Sequence, residues 1–377
     1  YTSGSTGTPK GVQVSHKNWA SIQQAWQEAY DLSETSTHLQ LANPSFDVFY
    51  GDLSRALCTG KHLLLCTKNL VLNIPALYQH IQEQQVDCAE FVPSVIRNLM
   101  LYLKQHDKSL STFKRLIVGS EQWQVSEYQA LATLLPANAR LINSYGTSET
   151  SIDSCFFEGN CKQLSPSAIV PIGKPFNNSQ IYLLDPHGHL VPKNVIGEIV
   201  ISGDGVSQGY INNKASNQQQ FINHTLTKDL EKLIYKTGDL GKWDNNGDLH
   251  ILTRIDKQIK IRGHRVELGE IEAALAKIPN VISTWVKVEK IANHNQVIAY
   301  YQSENILELP SDIVQTHLTN TLPTHMIPDH IIALTQFPQL SRIKKMAMPQ
   351  VIQAAFANQI YLSLPTSQTF CIDFELD

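Results

Sequence analysis

Between Lys17 and Ser165 the apolar positions recur with two periods in alternation. A helical period over Asn18–Tyr30, Ala76–Gln84, Val95–Gln105 and Val125–Leu135 predicts four helices. Short apolar runs between them, at Leu39–Leu41, His62–Cys66, Cys88–Val92, Leu116–Val118 and Leu141–Ile142, predict buried strands. Strands alternating with helices imply a mainly parallel α/β sheet, with ligand-binding loops at the carboxyl ends of its strands. From Ala168 to Leu252 the period shifts towards two. Gln180–Leu184, Gly197–Ser202 and Leu249–Leu252 read as strands parted by Asp185-Pro-His-Gly188 and Asn245-Asn-Gly247 turns. A third region follows, with strands at Gln258–Ile261, Val281–Val288 and Gln296–Tyr301 and helices at Gly269–Lys277 and Ser311–Leu322. The expected organisation is a large domain over 1–255, α/β over 1–165 and β-rich over 166–255. A small α+β domain over 256–351 and an unassigned tail over 352–377 complete it.

The chain of 377 residues has room for two or three domains with substantial cores. Its net charge of −4 gives no reason to expect nucleic acid or a membrane surface as partner. No apolar run approaches the length that spans a bilayer. Six cysteines are scattered without a Cys-x-x-Cys pair, so neither a disulfide framework nor a thiolate metal site is expected, and a reducing cytoplasm is the expected compartment. The sequence opens on Tyr rather than Met, inside what reads as a loop, and is expected to be a fragment.

That opening, Tyr1-Thr-Ser-Gly-Ser-Thr-Gly-Thr-Pro-Lys-Gly-Val-Gln-Val-Ser-His16, interleaves hydroxyl residues with glycines and adds a single lysine. Glycines let the backbone approach a ligand closely, and successive N–H groups can cradle phosphate. A flexible linker is the alternative. A Walker loop is a poor match, since Pro9 precedes Lys10 and Gly11 follows it.

Further motifs follow in order. Asn143-Ser-Tyr-Gly-Thr-Ser-Glu-Thr-Ser151 offers an aromatic ring and a hard oxygen ligand suited to Mg²⁺, although Glu149 alone could be a carboxylate at a helix start. Gly197-Glu-Ile-Val-Ile-Ser-Gly203 with Gly209-Tyr210 comes next. Tyr235-Lys-Thr-Gly-Asp239 presents a carboxylate able to bind ribose hydroxyls, or else a plain turn. Arg254–Glu272 is the last of the set. Together these motifs resemble the adenylate-forming superfamily, most closely the amino-acid-activating adenylation domains of nonribosomal peptide synthetases, from Tyr1 to about Pro349.

The resemblance implies roles residue by residue. Thr2, Ser3, Gly4, Ser5, Thr6, Gly7, Thr8 and Lys10 would hold the ATP β- and γ-phosphates. Asn143, Gly146 and Thr147 would shape the nucleotide pocket, Tyr145 would stack on adenine, and Asp239 and Arg254 would bind the ribose. Glu149 would help hold Mg²⁺, and Thr6, Glu149 and Lys344 are the expected catalytic groups. Asp256 falls at the hinge between domains, and Gly263 in a loop lining a tunnel for a phosphopantetheine thiol.

Substrate class is implied by Pro44-Ser-Phe-Asp-Val-Phe49, where the family places a carboxylate that pairs with an α-ammonium, here Asp47. The alternative role for Asp47 is a helix N-cap just past a strand. By the same register Val48, Gly51, Phe91, Leu116, Val118, Ser144, Ile152 and Asp153 would line the side-chain pocket. Mostly apolar, they favour a medium-sized apolar side chain unless Asp153 selects a polar one. The family's catalytic-lysine loop corresponds to Phe337–Met346, with Lys344 in the lysine position. Ile343 replaces the usual glycine there, and Lys345 is a possible substitute. The implied activity is formation of aminoacyl-AMP from ATP, with Mg²⁺, and acyl transfer to a carrier-protein thiol, with a condensation domain as a further expected partner. A truncated, non-catalytic relic and an acyl- or aryl-CoA ligase of the same fold are the alternatives.

Overall fold

A computed structural model of the chain describes residues 1–2, 9–227, 230–255, 258–261, 264–291, 294–303, 309–334 and 371–372. Ser3, Gly4, Ser5, Thr6, Gly7, Thr8, Asp256, Gly263 and the loop with Lys344 and Lys345 lie outside the described residues.

Helix α1 (His16–Tyr30) begins two residues before the apolar period, because Ser15 and Asn18 form a reciprocal cap. The Ser15 hydroxyl accepts from the Asn18 N–H at 3.2 Å, and the Ser15 N–H donates to Asn18 Oδ1 at 2.9 Å. Its buried stripe is Ile22, Ala25, Trp26 and Tyr30, spaced to share one face. The chain then alternates through β1 (Thr37–Gln40), α2 (Asp47–Leu57), β2 (His62–Leu65), α3 (Lys68–Leu72), α4 (Ile74–Glu83), β3 (Cys88–Phe91), α5 (Pro93–Gln105), β4 (Arg115–Val118), α6 (Val125–Ala132) and β5 (Arg140–Tyr145). Two short strands, β6 (Cys155–Phe157) and β7 (Lys174–Pro175), follow.

These strands form one sheet in the order β2-β1-β3-β4-β5-β6-β7. The first five run parallel, and β6 and β7 are added antiparallel. Alternation along the strands divides the core. Ala89, Phe91, Leu116, Val118 and Leu141 pack with Leu77, Ile96, Leu99 and Val125 from α4, α5 and α6. Cys88, Ile117 and Ile142 instead pack with the α1 stripe and with Ile152. A parallel sheet covered on both faces accounts for continuous apolar runs such as Leu116-Ile117-Val118.

The β-rich part is antiparallel. It comprises β8 (Ser179–Leu184), β9 (Gly197–Gly203), α7 (Lys214–Gln220), β10 (Phe221–Thr227), β11 (Leu230–Trp243) and β12 (Leu249–Arg254). β11 is its spine, pairing with β9, β10 and β12. Its register against β9 shifts between Lys236 and Leu240, where Gly238 takes φ +74°. Irregularities of this kind re-aim side chains beside functional sites.

A ribbon of β13 (Gln258–Ile261) and β14 (His264–Glu267) follows. The chain divides into two compact units after Arg265, later than the boundary expected at Asp256. The second unit holds α8 (Leu268–Leu275), β15 (Val281–Ile291), β16 (His294–Ser303), α9 (Ser311–Thr321), β17 (His330–Leu334) and β18 (Cys371–Ile372). β15 and β16 form an antiparallel hairpin, and β17 and β18 extend the sheet in parallel. The tail left unassigned by the sequence therefore contributes a strand. Among the described residues no helix is long and apolar enough to cross a membrane.

Candidate active site

Three groups of residues in the first unit surround the sheet's carboxyl edge. The first belongs to the opening loop, whose ends are pinned to each other. Thr2 N–H donates to Lys10 O at 2.9 Å, and Lys10 N–H to Thr2 O at 2.8 Å. Gly11–Gln13 then pairs with Gln208–Ile211, and Val12 bridges Tyr210. This clip sets the Lys10 ammonium 4.9 Å from the Tyr210 ring centroid. The Tyr210 hydroxyl donates to Glu149 Oε1 at 2.8 Å, and Glu149 is fully buried. Lys10, Tyr210 and Glu149 thus form one contiguous cluster, although Lys10 and Tyr210 lie 200 residues apart.

A tight turn carries Glu149. Thr147 O accepts from Thr150 N–H at 2.9 Å and from Ile152 N–H at 3.1 Å, closing the turn over Ser148–Thr150. Ser151 and Ile152 follow with φ of +62° and +77°. Positive φ is costly for a β-branched residue, of order 1–3 kcal/mol. Gly146 makes the turn possible, because a Cβ there would stand 2.1 Å from Ile152 O and 2.6 Å from Asp153 Cα. Gly146→Ala should therefore cost about 1–3 kcal/mol, measured by denaturant titration. An unchanged midpoint would mean that this turn relaxes freely.

The second group lies where β5 meets the bulge of β11. The Tyr145 hydroxyl donates to Asp239 Oδ2 at 2.5 Å, and Arg254 Nη1 donates to Asp239 Oδ1 at 2.5 Å. Asp239 and Arg254 are cross-strand neighbours on β11 and β12. Arg254 Nη2 also donates to Thr237 O at 3.0 Å, and Asp239 N–H to Thr237 Oγ1 at 3.0 Å. Burial and the Asp239 charge hold the Tyr145 phenol well above its ordinary pKa. The three residues expected around the nucleoside are therefore one hydrogen-bonded unit, with the Tyr145 ring packed in the core. Asn143 does not join it. Its amide is engaged elsewhere, accepting from Trp123 Nε1 and donating to Pro171 O, both at 2.8 Å.

The third group lies on the face covered by α1 and α2. Asp47 is the first residue of α2, where a carboxylate complements the helix dipole. Ser148, next to Glu149, donates its hydroxyl to Asp47 Oδ2. Asp47, Gly51 and Arg55 share a face of α2 at intervals of four. The Gly51 Cα is crowded, since a Cβ would meet Ile152 Cδ1 and Trp26 Cη2 at 3.2 Å. Arg55 is buried, bonded to Asp52 at 2.7 Å and Glu90 at 2.5 Å, and lies 4.6 Å from the Trp26 ring. Trp26 Nε1 in turn donates to Asp153 Oδ2 at 2.9 Å.

Of the expected pocket residues, Val48 and Ile152 pack on this face, and Ser144 and Asp153 are buried beside Glu90. Phe91, Leu116 and Val118 are not brought here. They point into the core beneath α4, α5 and α6, and their neighbours Glu90, Ile117 and Gly119 take the near face. Period-two alternation explains the shift, since burying Ala89 and Phe91 on one face turns Glu90 to the other. Arg55, Asp52 and Trp26 were missed as well. Counting helical turns from Asp47 finds Arg55.

The architecture is that of adenylate-forming enzymes. It aligns with the Vibrio cholerae adenylation domain AlmE in complex with glycyl-adenosine-5'-phosphate, at a TM-score of 0.79 and 22% identity over 95% of this chain and 66% of that one. It also aligns with NpsA-ThdA of Klebsiella oxytoca, a fused adenylation and carrier di-domain, at 0.74 and 21% over 94% and 68%. The sequence matches the AMP-binding enzyme family over residues 1–211, and the chain belongs to that family. It is 35% identical to bacitracin synthase 2 of Bacillus licheniformis over 93% of this chain and 13% of that protein. Gramicidin S synthase 2 of Brevibacillus brevis is also 35% identical, over 93% of this chain and 8% of its own length. The resemblance to nonribosomal peptide synthetase adenylation domains is thereby borne out.

Proposed function

We propose that this chain activates an α-amino acid with ATP, forming aminoacyl-AMP and pyrophosphate, and passes the acyl group to a carrier protein's phosphopantetheine thiol. The observation that carries this reading is the Asp47–Ser148 contact, which sets a half-buried carboxylate beside the turn bearing Glu149. A carboxylate there can pair with an α-ammonium, and an ammonium removed from water needs such a partner. The Asp239 cluster offers carboxylate and guanidinium groups to ribose hydroxyls. The pinned loop, with Lys10 at its end, offers cationic charge to phosphates.

Mg²⁺ beside a nucleotide is commonly held by one or two carboxylates, with phosphate oxygens and water completing its shell. Glu149 fits as that carboxylate, and the described residues hold no cluster of three or more candidate ligands that would bind an ion alone. When bound, the ion would neutralise phosphate charge. Lys344 is assigned to stabilise charge developing at the α-phosphate, and a condensation domain is assigned as neighbour in peptide assembly. Amino-acid-dependent ATP–pyrophosphate exchange by the intact protein tests the reading. No exchange above background across all proteinogenic amino acids and ornithine would refute it.

A further inference from the structure

The face of α2 that carries Asp47 holds more negative charge than the fold itself neutralises. Asp52, Glu90 and Asp153 are 4%, 7% and 4% exposed, and Arg55 is the cation the described residues place among them. Arg55 bridges Asp52 and Glu90. Asp153 has no ion pair among the described residues, and Trp26 Nε1 donates to it. Burial and the neighbouring Glu90 raise the Asp153 carboxyl above its ordinary pKa, and Arg55 offsets this in part. Buried carboxylates without cations are costly, so a cluster serving only the fold would be expected to balance its own charge.

A second observation marks where a ligand would enter. Ser144 is 5% exposed, and its hydroxyl has no hydrogen-bond partner among the described residues. Beside it Gly119 lets Ser144 and Glu90 close in on the backbone, since a Cβ there would come within 2.5 Å of Ser144 Oγ and 3.0 Å of Glu90 Oε1. Without a side chain at Gly119, two oxygens that can accept hydrogen bonds converge there. Arg55 Nη1 is also buried without a partner among the described residues and could receive an anionic ligand instead. Charge decides between them. Three carboxylates against one guanidinium leave two negative charges when all are ionised, which a carboxylate would raise to three and an ammonium would reduce to one.

We infer that this site selects an α-amino acid whose side chain ends in a primary ammonium, received by Glu90, Asp153 and the Ser144 hydroxyl. The inference rests on the adenylation reading and adds the substrate class to it. Asp47 would hold the α-ammonium. Gly51 and Arg55 lie one and two turns further along the same face of α2, about 6 Å per four residues. A side chain of three or four methylenes spans a distance of that order.

The test is ATP–pyrophosphate exchange by the intact protein with ornithine, lysine, leucine, glutamine and glutamate. Ornithine or lysine should exceed the neutral and acidic amino acids by about 100-fold or more in kcat/KM, because a site built around buried polar groups rejects analogues that leave them unpaired. Asp153→Asn, which breaks no ion pair, should reduce that preference by about tenfold or more. Gly119→Ala should reduce it too by pushing Ser144 and Glu90 out of place, with melting temperatures confirming that both variants fold. Preference for leucine, glutamine or glutamate would overturn this inference and leave adenylation standing. Exchange with no amino acid would overturn both. Ornithine or lysine preference unchanged in both variants would overturn the assignment to these residues.

Discussion

Replacing Arg55 with alanine should destabilise the intact protein by about 3–5 kcal/mol, a large part of the margin of a typical domain. The guanidinium is buried between Asp52 and Glu90, and removing it leaves both carboxylates without their cation. Burial opposes the charge on Arg55, but attraction from Glu90 and Asp52 outweighs it and raises its pKa. The Asp52 carboxyl is raised by burial even with Arg55 present. Without Arg55 it would rise further. A carboxylate whose folded pKa lies above its unfolded value binds more protons when folded, so its penalty fades as pH falls. The deficit of the variant should therefore narrow as pH falls from neutrality towards about 4, the ordinary carboxylate range. Adding Asp52→Asn and Glu90→Gln should recover part of the loss. Denaturant midpoints measure all three, and a deficit under about 1 kcal/mol that ignores pH would show that water already screens the cluster.

Asp47→Ala should lower kcat/KM for the cognate amino acid by about 2–5 kcal/mol, since truncating one partner of a desolvated charge pair strands the other. Its des-amino analogue has no ammonium to strand and should lose little. Ser148→Ala removes one hydroxyl from Asp47 and should cost roughly 1 kcal/mol. The carboxylate also serves the first turn of α2, a contribution of about 0.3–1 kcal/mol to stability. Equal losses for the amino acid and its des-amino analogue would assign Asp47 to that structural role alone.

Local periodicity made the parallel sheet readable, because strands buried on both faces appear as short apolar runs between amphipathic helices. It did not reveal α2, whose buried Gly51, Asp52, Ser54, Arg55 and Ala56 include two charged residues and show no apolar stripe. Nor did it show the full length of β11, which is interrupted by Gly238 and carries several charges. The motif residues Lys10, Glu149, Tyr145, Asp239 and Arg254 were all named from the sequence, and the fold joins them in two clusters. Of the expected pocket positions, Phe91 lies on the face of β3 opposite Glu90, because side chains alternate along a strand and a shift of one residue exchanges faces. Arg55 and Glu90 lie 35 residues apart, and nothing local marks such a pair.

The clip that holds Lys10 over Tyr210 also sets a timetable. Val12 pairs with a residue 198 positions further along the chain, 210 minus 12. At about 5–20 residues per second, a ribosome takes roughly 10–40 s to cover that distance. Until then Lys10 has no Tyr210 to rest on, and Glu149 lacks its tyrosine hydroxyl. The cluster of Lys10, Tyr210 and Glu149 is therefore completed late in synthesis of the first unit, and a nascent chain halted before residue 208 has no clip.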